Sequence, residues 1–184
     1  RNCLQEMKNP GDFRFQYAFI NCTQCGPRYS IIKTVPYDRP NTTMAPFEMF
    51  SGCRDQYEQI LNRRFHAQPV ACPTCGPHIW LTDNQGNMPE EDSQQAIEQT
   101  ARILNEGKIA AVKGLGGFHL AVDAYNDRAV QTLRDRKRRQ GKPFALMASS
   151  IEIIKTIAEV SKEAEKLLTS PEAPIVLLTK RYPN

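Results

Sequence analysis

The residues best suited to chemistry in this sequence are its six cysteines, and their spacing repeats. Cys3 is followed after eighteen residues by Cys22-x2-Cys25, and Cys53 after eighteen residues by Cys72-x2-Cys75. Both pairs continue alike, as Cys25-Gly26-Pro27 and Cys75-Gly76-Pro77, and no cysteine is left over. A Cys-x2-Cys knuckle places two thiolates on one side of a tight turn, and a second knuckle completes a tetrahedron around Zn2+. The spacing therefore predicts two zinc modules, with Cys3, Cys22 and Cys25 in one and Cys53, Cys72 and Cys75 in the other. Three disulfides are the competing use of six cysteines. The matched interval, the two knuckles and the lack of a signal-like segment favour the metal.

Each set is one ligand short. The chain opens at Arg1-Asn2-Cys3 without an initiator Met, and one more Cys before Arg1 would complete the first knuckle. The sequence therefore reads as a piece cut inside the motif. The matching position of the second set holds Phe50, so that site has lost a ligand or borrowed one. His66 and His78 are the nearby imidazoles, a donor that suits zinc. His66, inside the eighteen-residue loop, is taken as the substitute ligand.

The elements that must position these groups are of two kinds. Residues 1–80 hold every Cys and six of the eight Phe. Zinc is expected to replace a core too small to hold itself together there, since much of its binding free energy is folding free energy. Residues 81–92 read as a linker of turn formers and acids. From Ser93 onward helices and strands alternate. Ser93 or Asp92 caps a helix that Gly107 ends. Ile109 to Val112 reads as a buried strand, Lys113 to Gly117 as a glycine turn and Phe118 to Val122 as a second strand. Asn126 caps a helix through about Arg138, and Ser150 and Ser161 cap two more. Pro143 to Ala148 and Ile175 to Leu178 complete a set of four strands. The expected class is α+β or mixed α/β. Two small Cys-rich zinc modules over 1–80 precede a partial α/β domain over 93–184, whose sheet looks unfinished at its C-terminal end.

The bulk composition bounds the function. A length of 184 residues fits one large domain or two small ones. A net charge of +4, from 24 Lys and Arg against 20 Asp and Glu, is not by itself evidence of nucleic-acid binding. No apolar run approaches the roughly 20 residues of a membrane span. Reduced, metal-bound thiols point to the cytoplasm.

Arg134 to Lys142 carries six basic residues in nine, at the end of a helix. Cations there favour the helix dipole, but six exceed what capping requires. Such a cluster can hold nucleotide phosphates, or it can be a solvated face or a nucleic-acid contact. Lys113 and His119 flank the glycine turn and could face a pocket. The turn is neither a Walker loop nor GxGxxG, and alone it reads as an ordinary strand-to-strand connection.

Several long segments resemble a known family. They are Cys22 to Ile32, Pro36-Tyr-Asp-Arg39, Thr42-Thr-Met44, Arg63 to Pro69, Ala71 to Pro77, Lys113 to Leu120 and Arg136 to Met147. Together they resemble the hydrogenase maturation carbamoyltransferases of HypF type, over essentially the whole chain. The resemblance implies a zinc-finger pair followed by the first part of a YrdC-like nucleotide-binding domain. In the full protein an acylphosphatase domain and a carbamoyltransferase domain flank them. It implies hydrolysis of carbamoyl phosphate to carbamate and adenylation with ATP and Mg2+ to carbamoyl-AMP. The carbamoyl group then passes to the C-terminal Cys of a HypE-type acceptor, for the cyanide ligand of a NiFe hydrogenase. The Lys-x-Arg of YrdC-like proteins matches Lys137 and Arg139, with Lys142 following, as binders of nucleotide phosphate and the carbamoyl group. Lys113 matches the loop lining the same cavity. No catalytic residue falls in this chain, which is expected to be inactive alone. Phe50 departs from the family pattern and puts the second zinc site in doubt. The alternative is a zinc-ribbon and YrdC-like RNA-binding module using the 134–142 patch, a use that the mild net charge does not favour.

Overall fold

Each cysteine set begins on a short helix. α1 (Asn2–Lys8) carries Cys3 and α2 (Ser51–Glu58) carries Cys53. After each helix the chain turns sharply and returns, and the two returns match at an offset of fifty residues. Gln16 N–H donates to Met7 O at 2.8 Å, and His66 N–H donates to Tyr57 O at 3.0 Å. Gln16 (φ 57°) and His66 (φ 52°) both adopt the left-handed conformation at that return. Asp12 and Asn62 accept from the backbone of Arg14 and Arg64 at 2.8 and 2.9 Å, the Asx turns expected of these side chains. The computed structural model describes residues 2–88, 92–139, 141–170 and 172–182. Its backbone groups into two units, residues 1–121 and 122–184.

The two modules share one interior. Tyr17 of the first loop packs with Ile31, Met44 and Ala71, while Cys53, Ala67, Val70 and Cys72 form a neighbouring cluster. The connection between the modules contains two 3-10 turns, Tyr29–Ile31 and Arg39–Asn41, and folds on a buried arginine. Arg39 donates to Gln68 O at 2.7 Å, Val70 O at 2.8 Å and Phe47 O at 2.8 Å. Three carbonyls thus solvate a cation that burial would otherwise destabilise.

After the second knuckle comes α3 (Ser93–Asn105), capped by Asp92, which accepts from Gln94 and Gln95 N–H at 3.0 and 2.9 Å. Ser93 does not cap; its hydroxyl pairs with the backbone of Ile79 in both directions. Gly107 (φ 76°) ends the helix as expected. β1 (Ala110–Lys113) and β2 (Phe118–Ala121) form an antiparallel hairpin, with Val112 opposite His119 and Lys113 opposite Phe118. Gly114 N–H donates to Gly117 O at 2.7 Å across its turn. The expected burial of the first strand is not found: its residues are half-buried to exposed.

In the second unit α4 (Asp127–Lys137), α5 (Ile151–Ile157) and α6 (Lys162–Leu168) are capped by Asn126, Ser150 and Ser161, as their sequences predict. The expected strands 143–148 and 175–178 do not form. Extended pairing among the described residues of this unit is an isolated bridge, Ala158 to Lys180. An apolar run states what its side chains could bury, but a strand exists only through a neighbour's hydrogen bonds. Met147, Ile175 and Leu177 accordingly stand exposed.

Candidate metal centres

The two knuckles are built from close backbone turns. Cys25 N–H donates to Cys22 O at 3.3 Å, and Cys75 and Gly76 N–H donate to Cys72 O at 3.2 and 2.9 Å. Close approach requires the glycine that follows each knuckle, since an added Cβ at Gly26 would stand 2.6 Å from Asn21 Cβ, and in the first copy the backbone requires it too. Gly26 sits at φ 95°, a conformation that side chains disfavour. Gly76 lies under Tyr17, whose hydroxyl would be 2.0 Å from an added Cβ.

All six cysteines are free thiols. They gather into two sets, Cys3–Cys22–Cys25 and Cys53–Cys72–Cys75, with the sulfurs of each set within 4.8 Å of one another. Cys22 and Cys25 Sγ are 3.7 Å apart, Cys25 and Cys3 Sγ 3.4 Å, and Cys72 and Cys75 Sγ 3.7 Å. A tetrahedral zinc with Zn–S near 2.3 Å has an S–S edge of about 3.8 Å. The sulfurs therefore already stand at the spacing a zinc ion requires, and a soft thiolate set suits that metal.

His66 does not join the second set. Its left-handed backbone turns the imidazole onto Tyr57 (centroids 5.0 Å) and Phe65 (4.3 Å), so it is an aromatic packing residue. His78 is exposed and belongs to neither thiol group. Phe50 precedes α2 and its carbonyl accepts from Cys53 and Arg54 N–H, both at 2.9 Å. Burial opposes charge on Cys75, yet the Phe50 N–H and neighbouring donors hold this thiol below its ordinary range.

Charge crosses between the modules. Arg14, from the first loop, is fully buried and donates Nε to Ala71 O at 2.8 Å, Nη1 to Gln56 Oε1 at 2.8 Å and Nη2 to Cys53 Sγ at 3.0 Å. Arg64, from the second loop, donates Nε to Asn21 O at 2.8 Å, Nη1 to Gln56 Oε1 at 3.2 Å and Nη2 to Cys3 Sγ at 3.9 Å. Arg63 reaches Cys3 Sγ at 3.0 Å, and both Arg63 and Arg64 bind Glu6. Burial pushes the Cys53 thiol up to about 12 despite Arg14. Burial and the other two thiols push Cys25 up to about 11. Cys22 falls to about 7 because the Gln24 N–H and its neighbours outweigh burial. Sequence reasoning missed Arg14 and Arg64. The signal was the same offset that relates the cysteines, since Arg14-Phe15 repeats as Arg64-Phe65.

The predicted nucleotide-binding residues fall in both units. In the first, Lys113 projects its Nζ over the Phe118 ring at 5.1 Å, and His119 packs on Gly114. In the second, Lys137 and Lys142 are exposed, while Arg139 donates to Pro143 O at 3.2 Å beside the Phe144 ring. Arg134 joins the same ring at 4.7 Å and donates to Arg139 O and Lys142 O at 3.2 and 3.0 Å. Part of the basic stretch thus fixes its own turn, a role not anticipated for Arg134. A cleft of about 550 Å3 along α3, lined by Asp83, Glu98 and Arg102 among others, includes none of these residues.

Two family models match the chain. The HypF finger matches residues 1–32 and 51–82, and the model described as telomere recombination (Sua5, YciO, YrdC) matches 102–184. A Rhodobacter capsulatus protein named carbamoyltransferase HypF is 53% identical over 98% of this chain and 24% of its own length. A full-length HypF crystallised in a phosphate- and nucleotide-bound form is 49% identical, with TM-score 0.88 over 100% of this chain and 24% of that one. The T. kodakarensis HypF structure is 47% identical, with TM-score 0.92 over 98% of this chain and 23% of that one. The chain spans about a quarter of the length of these relatives.

Proposed function

The chain belongs to the HypF family of carbamoyltransferases, spanning its finger region and part of its YrdC-like region, and from this premise we propose that it supplies a zinc-held scaffold and part of a nucleotide site to such an enzyme. Identity of 53% across nearly the whole chain carries the reading. The proposed organisation is two zinc modules over 1–80, a linker over 81–92 and a YrdC-like segment over 93–184. Cys3, Cys22 and Cys25 hold one zinc; Cys53, Cys72 and Cys75 hold the other, with a fourth ligand from outside this thiol set. Zinc acts here as a cross-link, tying a helix to a knuckle in each module.

In the whole protein, carbamoyl phosphate is hydrolysed and the carbamate is adenylated with ATP and Mg2+ to carbamoyl-AMP. The carbamoyl group is passed to the C-terminal Cys of a HypE-type acceptor, in the cytoplasm. Lys137, Arg139 and Lys142 bind phosphate oxygens, and Lys113 is a further nucleotide-binding residue on the family likeness. Phosphoryl transfer spreads charge over non-bridging oxygens, which fixed cations stabilise. Arg139 is held by Pro143 O and Phe144, so it meets a phosphate already oriented. The relative crystallised with phosphate and nucleotide supports this use.

Metal counting and isothermal ATP titration on one sample test the reading. Two zinc ions per chain and saturable ATP binding are expected. Lys137→Ala and Lys142→Ala should each weaken ATP by about tenfold, the value of one charge-assisted contact. ATP affinity indifferent to both substitutions refutes the phosphate role. Affinity for RNA that falls steeply with salt, in place of ATP binding, would favour a nucleic-acid module.

A further inference from the structure

The two loop arginines reach beyond the module they belong to. Arg14 lies eleven residues after Cys3 and Arg64 eleven after Cys53, yet each spends its guanidinium on the opposite set. Arg14 binds Cys53 Sγ and also Ala71 O, the carbonyl just before the second knuckle. It thereby ties the helix-borne thiol of the second set to the turn that carries the other two. Arg64 binds Asn21 O at 2.8 Å and lies 3.9 Å from Cys3 Sγ, a looser version of the same tie, and the neighbouring Arg63 makes the closer contact to Cys3 Sγ at 3.0 Å. The two guanidinia meet over one acceptor, Gln56 Oε1, and both side chains are essentially excluded from water.

Two buried like charges this close need counter-charge, and Glu6, shared by Arg63 and Arg64, is the carboxylate paired with this cluster. A zinc ion with three thiolates carries one net negative charge, and with four it carries two. Filling either centre therefore balances the arginine that the opposite loop supplied. That fixes the loop in the conformation its own knuckle requires.

We infer that Arg14 is the positioning residue of the second metal centre and Arg64 that of the first, so that the two centres fill as a coupled pair. This rests on the zinc reading above. Hydrogen-bonded groups of this kind around a metal site are worth about 10–100-fold in metal affinity. The expected pattern is crossed: Arg14→Gln weakens the second centre by that factor before the first, and Arg64→Gln does the reverse. An arginine with a merely structural role in its own loop would loosen its own module first.

The test is a zinc titration of the apo 184-residue chain followed by native mass spectrometry. Hydrogen exchange of the Cys22–Cys25 and Cys72–Cys75 segments reads each centre separately. In the parent chain the singly loaded species should stay below the level that two independent sites would give. In Arg14→Gln the Cys72–Cys75 segment should need more zinc for protection, while Cys22–Cys25 changes less. Arg14→Lys, which keeps the charge and loses the fork, should behave like Arg14→Gln. Cys22→Ser with Cys25→Ser should weaken zinc at the intact second centre. Two ions that load independently in the parent, or Arg14→Gln loosening Cys22–Cys25 first, overturn the inference while leaving the zinc reading intact. A parent chain that takes up no zinc overturns both. The parent titration needs no substitution, so it decides the matter even if a variant fails to fold.

Discussion

Removing the metal should unfold the region around residues 2–80 while leaving the second unit in place. Apart from the cysteines, the large apolar side chains buried there are Tyr17, Ile31, Met44 and Val70. At about 1.5–3 kcal/mol each, they contribute about 6–12 kcal/mol in all. One structural zinc contributes about 10–16 kcal/mol of apparent binding free energy near neutral pH. Loss of a single ion thus removes as much as this whole apolar set supplies, before any cost of ordering the chain is counted. The helices here are short, so the change in circular dichroism is small and hydrogen exchange is the better assay. The amides of Gln16 and His66, bonded to Met7 and Tyr57, should lose protection after chelation. Amides of α4 near Leu133 serve as the internal reference and should hold theirs. Unchanged exchange at Gln16 and His66 in a sample shown by elemental analysis to be metal-free would refute the argument that metal dominates this region.

Other outcomes follow from single contacts. Arg39→Gln strips the donors from three carbonyls; at about 1–3 kcal/mol for each unsatisfied group, partly relieved by water, the denaturation free energy should fall by about 3–5 kcal/mol. A fall under about 1 kcal/mol would mean that the carbonyls find other partners. Gly76→Ala has no room beneath Tyr17 and Ala71, so metal analysis should show loss of the second ion; full occupancy would contradict the packing. His66→Ala should leave the zinc count unchanged, because its ring packs on Tyr57 and Phe65; a lost ion would return it to the ligand set. Burial works against the Glu6 carboxylate, but Arg64 and Arg63 prevail and hold it below its ordinary 4.5. Its contribution is therefore present above that pH and lost as pH falls through the lower folded value. The stability gap between the parent and Glu6→Gln, measured against pH, should narrow on acidification, and a gap that widens would reverse the sign.

What was legible in the sequence was local. The Cys-x2-Cys turns, the caps at Asp92, Asn126, Ser150 and Ser161, and the stop at Gly107 each depend on neighbours within a few residues, and each forms as read. The strands at 143–148 and 175–178 depend on partners far along the chain, which an apolar run cannot name. His66 lies outside the thiol set and packs on Tyr57 and Phe65, a placement that imidazole chemistry alone does not reveal. His66 sits at φ 52° at the loop's return, a left-handed turn position that its residue type does not announce. Arg14 and Arg64 lay in plain view at the cysteine offset, but bridging between repeats leaves no mark on either repeat alone.

Water reaches the six thiols unequally. Cys25 is exposed and Cys75 half-buried, whereas the other four are buried. Oxidants and alkylating reagents act on accessible thiolates. Cys25 has the access, but desolvation and its two neighbouring thiols help keep it protonated, whereas the half-buried Cys75 is held below its ordinary range and combines access with thiolate character. Damage there would free a guanidinium supplied by the opposite repeat. The region as a whole is then only as resistant to oxidative stress as one half-buried cysteine.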